Sequence, residues 1–375
     1  MGKATLILLI TLSMITFGCS GKPTESNPTD KLVISELYAK LSGVAKGVIL
    51  NEFMDTYSEN ELNILQHDMY ENIFQFSFSS LLSEKTEFIQ NLKENQLVEW
   101  AELKFKHEFP ESMLKFTLIE DGTAYEVSSD STHATNIVIP HKYNDLPVTR
   151  IGHDAFVGFS DLVDVYIPYG ITYIGWRAFQ KCTSLTQIIM PNSVTDTGDV
   201  VFNTCRNLSS IKMSNKLERI GGDMFIRTSI TKIDIPFSVT YIGDGAFAGC
   251  EKLTNIIIPN NVTYLGSAAF NNCSSLTNIT LSNAITVLNT STFQDCSRLT
   301  DIIIPNSVTL IKDDVFRYCM NLMSVYIPKS VLQIYRYGIS CPRVTVYAEV
   351  ESKPEGWEDG WVSEHTTIIW GASMP

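Results

Sequence analysis

The stretch "IPFSVTYIGDGAFAGCEKLTNII", Ile235 to Ile257, fixes an isoleucine-proline pair, a phenylalanine, a cysteine and a leucine at set places. Its neighbours repeat it as I-P-x-S-V-T-x-I-G-x-x-A-F-x-x-C-x-x-L-T-x-I-x. The phenylalanines mark the register: Phe156, Phe179, Phe202, Phe225, Phe247, Phe270, Phe293 and Phe316. Each interval is 23 residues, except 22 between Phe225 and Phe247. A fixed period this short is the mark of a solenoid, in which no unit can bury its apolar face without a neighbour.

Within a unit, L-T-x-I-x-I reads as a short strand. Side chains alternate along a strand, so Leu253, Ile256 and Ile258 face the core while Asn255 and Ile257 face outward. Pro259 ends the strand because it lacks the N–H that a ladder needs. V-T-x-I-G is a second extended piece leading to a turn at glycine, and A-F-x-x-C reads as a helical turn. Strands of successive units pair in parallel, which predicts an array roughly 40 Å long at about 4.8 Å per rung.

Before the array, the 375-residue chain opens on "MGKATLILLITLSMITFGC", with Lys3 ahead of a short apolar run and Gly18 before Cys19. That is the layout of a secretory signal over residues 1–18. It resembles a bacterial lipoprotein signal, which implies a lipidated Cys19 as the mature N-terminus, although Thr16 stands where such signals usually carry leucine. An ordinary signal peptide with an incidental cysteine is the alternative. "SGKPTESNPTDK" completes a polar tether, residues 19–31, without apolar periodicity. Residues 32–110 show three- and four-residue apolar spacing, with "SENE" at Ser58–Glu61 fitting a capping box, and are expected to be helical. Residues 111–145 form a lead-in cap with a hairpin at Asp121-Gly122, a dipeptide tolerant of positive φ. The repeats occupy 146–347, and 348–375 form a C-terminal cap with Trp357, Trp361 and Trp370. A sugar-stacking role for these tryptophans is the alternative to the cap.

From about Phe116 onward the units resemble the Treponema-pallidum-type leucine-rich repeats of BspA-like bacterial surface proteins. The resemblance includes "EDGTAY", "IVIPHKYNDLPVTRIGHDAF" and "VTVYAEVESKPEGWEDGW". Departures are Thr197 for a core isoleucine, Ser282 for the proline, and one residue missing near Thr228. The resemblance implies surface display and adhesion to host proteins or other cells, without catalysis. Ser20 after the cysteine, in place of aspartate, resembles a signal for outward sorting. The expected location is therefore the bacterial outer membrane or cell surface, held by lipid alone. A periplasmic scaffold lipoprotein with no host ligand is the second reading.

The repeat cysteines, Cys182, Cys205, Cys250, Cys273, Cys296 and Cys319, with Cys341 near the same place, invite three readings. Metal ligation wants close pairs such as C-x-x-C, and no histidine runs in register. Disulfides between neighbouring rungs would fit the usual Cα separation and an exported protein. Phe159 and Thr228 share the column, however, and a site that accepts phenylalanine is a buried one, where cysteine acts as a small hydrophobe. The six histidines form no metal spacing, and no catalytic motif occurs, so neither an enzyme nor a cofactor is expected. A formal net charge of −13, with scattered Lys and Arg, disfavours nucleic acid and anionic membrane faces.

Two outward rows remain. One runs Asp164, Gln187, Ser210, Lys232, Asn255, Asn278, Asp301, Ser324. Beside it run Tyr166, Ile189, Lys212, Asp234, Ile257, Thr280, Ile303 and Tyr326, the candidate contacts for a protein ligand. An apolar and aromatic strip beside a polar row suits a protein-binding face, whereas β-propensity alone also places Ile and Tyr on strands.

Overall fold

The computed structural model describes the backbone of four strands between residues 34 and 105, and residues 113–373 other than Thr132 and His365. All of them belong to the unit Leu32–Pro375. Cys19 and the whole of residues 1–31 lie outside the described residues, as does the Ser58–Glu61 capping box.

The early segment corrects the helical expectation. Its described residues are the strands β1 (Ile34–Leu41), β2 (Asn63–Asp68), β3 (Ile73–Ser77) and β4 (Val98–Phe105). They form an antiparallel sheet in the order β2-β3-β1-β4, with Leu37 opposite both Phe76 and Leu103. The physical reason lies in length. In "VEWAELKF", Val98, Ala101 and Phe105 satisfy helical spacing, while Leu103 and Phe105 satisfy strand spacing, and eight residues cannot separate the two periods.

From Leu114 onward the chain is a stack of turns around one continuous core. Two parallel ladders run along it. The first collects the L-T-x-I-x-I strands, such as Gln187–Ile189 with Ser210–Lys212 and Asn255–Ile257 with Asn278–Thr280. The second collects V-T-x-I-G pieces, such as Arg219–Ile220, Tyr241–Ile242 and Tyr264–Leu265. Ile256 and Ile258 are buried as alternation requires, Leu253 is buried in the turn ahead of the strand, and Ile257 is 68% exposed. Threonine hydroxyls flank the ladders and donate one rung back: Thr277 to the Thr254 carbonyl (3.1 Å) and Thr263 to that of Thr240 (3.3 Å).

The A-F-x-x-C segment is a pair of hydrogen-bonded turns, not a helical turn. Each full unit holds two residues with positive φ, four apart, such as Gly245 (61°) and Gly249 (70°), or Ala268 (53°) and Asn272 (55°). A left-handed residue on either side of the phenylalanine stops a helix from propagating. It also turns the ring inward. The eight phenylalanines are wholly buried and stack face to face, with centroids 5.3 Å apart for Phe247–Phe270 and 5.8 Å for Phe202–Phe225.

Departures from the repeat are absorbed locally. Thr197 is buried in the isoleucine column, with its hydroxyl 4.0 Å from the Met224 sulfur. Ser282 donates to the Val262 carbonyl at 2.7 Å. Where the unit is one residue short, Lys232–Asp234 forms no strand, although Ile233 stays buried. The N-terminal end is closed by the hairpin Lys115–Leu118 with Tyr125–Ser128, over which Phe116 stacks on Tyr143 at 4.0 Å. At the other end Trp357 and Trp361 are buried, and Trp357 Nε1 donates to the Val331 carbonyl at 3.1 Å. Neither ring is open to a stacked sugar; both are core.

Candidate protein-binding face

The cysteine column is the first group of chemically distinctive side chains. All seven described cysteines are buried and free. Each thiol donates to the carbonyl of a phenylalanine one turn back: Cys250 to Phe225 (3.1 Å), Cys273 to Phe247 (3.3 Å), Cys296 to Phe270 (3.2 Å), and Cys341 to Phe316 (3.0 Å). The small hydrophobe read from the sequence therefore also has a directed donor. Burial pushes the thiol of Cys250 up to about 11 and that of Cys296 to about 12, so the nucleophilic thiolate is suppressed near neutrality. Thr228, in the same column, turns its hydroxyl instead to the Phe225 carbonyl of its own turn (3.0 Å), the carbonyl that Cys250 also uses. Among the described residues no group of three His, Cys, Asp or Glu side chains is placed to hold a metal ion. Among the described residues no helix is long and apolar enough to cross a membrane.

The outward rows of the first ladder lie where alternation puts them, but not with uniform exposure. In the polar row Ser210, Lys232, Asn255, Asn278 and Asp301 are exposed, and Asp164, Gln187 and Ser324 partly buried. In the apolar row Ile257, Asp234, Thr280 and Ile303 are exposed, while Ile189, Lys212 and Tyr326 are partly buried. Tyr166 departs from expectation: it is 7% exposed. Strand alternation assigns the side of the sheet and not what lies over it. The rung before Tyr166 carries Val138 directly in register. Tyr166 is therefore no contact residue in this conformation.

The row continues past the residues first read from the repeat. Tyr347 and Ile369 follow Tyr326 in register, and the Tyr326 and Tyr347 rings stack at 4.7 Å. Ile257, Ile303 (51% exposed) and Ile369, with Met323 (63% exposed) on an adjacent row, make the C-terminal half the apolar half. The N-terminal half carries the charge. Burial pushes Asp164 up to about 6, against hydrogen bonds from the Val165 backbone and the Gln187 side chain. At the short unit, Lys232 and Asp234 form an exposed pair at 3.8 Å, which contributes little.

A second surface was not read from the sequence. The x of V-T-x-I-G places Arg150 over Tyr173 (5.9 Å), Arg219 over Tyr241 (5.5 Å), and Tyr241 on Tyr264 (4.7 Å). The same 22- or 23-residue column would have revealed it. Beside it lies an open hollow of about 600 Å³, lined by Thr195, Asn215, Lys216, Glu218, Ser238 and Thr240. Tyr173 and Tyr241 each carry an arginine, Tyr264 stays 37% exposed beyond its stack on Tyr241, and none of these rings lines the hollow.

Two parallel ladders, a phenylalanine stack and a cysteine column define the repeat, and the known families can be set against them. Residues 128–250 and 220–340 match the BspA type leucine-rich repeat region, in six copies. The chain belongs to the BspA-type leucine-rich repeat family. A leucine-rich repeat protein from Bacteroides ovatus is similar at 25% identity and a TM-score of 0.50, over 67% of this chain and 60% of that one. The chain thus spans about three fifths of that relative's length. The leucine-rich repeat protein of T. pallidum is 26% identical over 52% of this chain and 80% of its own, at a TM-score of 0.40. No curated protein matches. The matched family describes a repeat architecture and names no catalytic activity.

Proposed function

We propose that this BspA-type chain is a lipid-anchored surface protein that binds a protein ligand through the first strand ladder. Cys19 is the anchor, residues 19–31 the tether, and the solenoid the displayed part. The observation that carries the reading is the row of Ile257, Ile303 and Tyr326, with the first two more than half exposed on regular strands. Burying side chains of this size against a partner stabilises a complex by about 1.5–3 kcal/mol each before association costs. Strand propensity would be served equally by threonine, as at Thr280, without the liability of exposed isoleucine. Of the candidate contacts, Ile189, Lys212, Asp234, Ile257, Thr280, Ile303 and Tyr326 stay in the proposal, and Tyr166 leaves it.

Protease added to intact cells should remove the solenoid while leaving a periplasmic control untouched. Binding of the purified protein to immobilised extracellular-matrix proteins should fall at least tenfold in Ile257→Asp/Ile303→Asp, with the melting temperature held. An uncut protein on intact cells would place it behind the envelope. Undiminished binding by the double variant would remove this face from the ligand's footprint.

A further inference from the structure

Three columns of the repeat break their own rule in two neighbouring units. One column carries Asn192, Asn215, Asn260, Asn283 and Asn306, but phenylalanine at Phe237. A second carries Thr172, Thr195, Thr240, Thr263, Thr286 and Thr309, but glutamate at Glu218. A third has serine at Ser193, Ser238, Ser307 and Ser330, and lysine at Lys216 alone. Core packing asks for none of these exceptions, because the ordinary residue serves the same column on the rungs around them. The two units are joined by the shortened interval, so Asn215 stands 22 residues before Phe237 and Glu218 22 before Thr240.

The exceptions gather at the hollow of about 600 Å³. Lys216 and Glu218 line it with Asn215, Thr195, Ser238 and Thr240. Phe237 directly precedes the lining Ser238, and at 69% it is the most exposed large hydrophobic side chain among the described residues. Asn261 Nδ2 donates to the Phe237 carbonyl at 2.7 Å, which holds the backbone beneath that ring.

The polar groups of the hollow are unequally committed. Ser238 donates its hydroxyl to the Leu217 carbonyl (2.7 Å) and Thr240 to that of Glu218 (3.4 Å), which leaves both oxygens as acceptors. Asn215 and Lys216 bond through their backbone N–H groups, to Asn192 Oδ1 and Ser214 Oγ. Among the described residues, the Asn215 amide, the Lys216 ammonium and the Glu218 carboxylate have no hydrogen-bond or ion-pair partner. One positive and one negative group offset each other, so the hollow selects neither an anion nor a cation. Methyl and methylene carbons of the same side chains make up the rest of its wall.

A matching ligand carries groups that both donate and accept, has no net charge, and offers an apolar patch to an aromatic ring. A pyranose meets all three conditions, since its C–H face packs on the negative face of a π system while its hydroxyls point sideways. An extended peptide is a poorer match. Tyr241–Ile242 is already paired on both sides, by Arg219–Ile220 and Tyr264–Leu265, and offers no edge for a further strand.

We infer that this hollow, with Phe237 beside it, binds a neutral oligosaccharide. One sugar ring lies on Phe237, Glu218 and the Asn215 carbonyl oxygen accept from its hydroxyls, and Lys216 donates to them. The site uses neither Ile257 nor Ile303, so it stands apart from the ligand face proposed above.

The test applies the full chain to an array of neutral glycans built from glucose, mannose, galactose, xylose and N-acetylhexosamine units, and titrates the best binder in solution. At least one should bind saturably. Its affinity should drop about tenfold or more in Phe237→Asn and in Glu218→Thr. Both variants install the residue that the same column carries elsewhere, so the melting temperature should hold. Ile257→Asp/Ile303→Asp should leave the glycan affinity unchanged, which keeps failure of this site distinct from failure of the protein-binding face. The inference is overturned if no neutral glycan binds, or if both column variants keep full affinity. It is equally overturned if unglycosylated tryptic peptides displace the glycan, which would make a protein segment the occupant.

Discussion

Asp164 shows how a single residue is set by the repeat it sits in. Its outward position was legible from strand alternation, as were those of Asn255 and Ile257. The burial that raises it to about 6 was not legible, because it depends on what neighbouring rungs lay over the row, as with Tyr166. A carboxyl whose folded value exceeds its unfolded one holds its proton better in the native state. Its contribution is therefore complete below pH 4 and is lost as pH rises through 6. Asp164→Asn keeps the hydrogen-bonding shape and removes the charge, so it should stabilise the protein at pH 7.5 by on the order of 2 kcal/mol, less whatever solvent screening removes. Below pH 4 the two proteins should unfold together. Urea midpoints at pH 3.5 and 7.5 check this; an equal gain at both values would mean the carboxylate is not the cause.

Among the elements, the repeat strands were legible because eight copies vote on one register. The early strands β1–β4 had no such vote. Each is five to eight residues long. The partner that fixes β1 is β4, far along the chain, and local spacing carries no trace of it. The fourth repeat lies between these cases. Its missing residue near Thr228 was visible as an interval of 22 in place of 23, and its consequence is the loss of a strand at Lys232–Asp234. Core burial persists there at Ile230, Ile233 and Ile235, so the turn stays stacked without a ladder. Protection from amide exchange follows the ladder more closely than the packing. The amides of Lys232–Asp234 should exchange at least tenfold faster than those of Asn255–Ile257 in the native protein, as hydrogen exchange read by mass spectrometry would show. Equal protection would mean that hydrogen bonds outside a regular ladder hold this rung as firmly.

At the scale of the whole molecule, a solenoid is a chain of nearest-neighbour interfaces, and its ends decide where unfolding starts. The N-terminal end is held by a hairpin and the Phe116–Tyr143 stack. The C-terminal end depends on Trp357, fully buried, bonded to the Val331 carbonyl, and packed on Trp361 at 4.6 Å. Removing a buried side chain of this size costs about 3–5 kcal/mol. In a globular core that loss lowers the stability of everything at once. Here Trp357→Ala removes the cover from the turns next to it, beside a final strand whose inward Ile368 and Trp370 are already half open. The expected outcome is a two-part change. The urea midpoint falls, and limited proteolysis of the variant cuts first beyond Tyr335, leaving a fragment that retains the phenylalanine stack. Phe247→Ala makes a comparable cavity in mid-array, where neighbours on both sides share the damage, and should lower the midpoint without favouring cuts at the C-terminal end. If both variants gave the same proteolytic pattern, the array would be unfolding as one cooperative block and the tryptophan cap would have no special hold on its end.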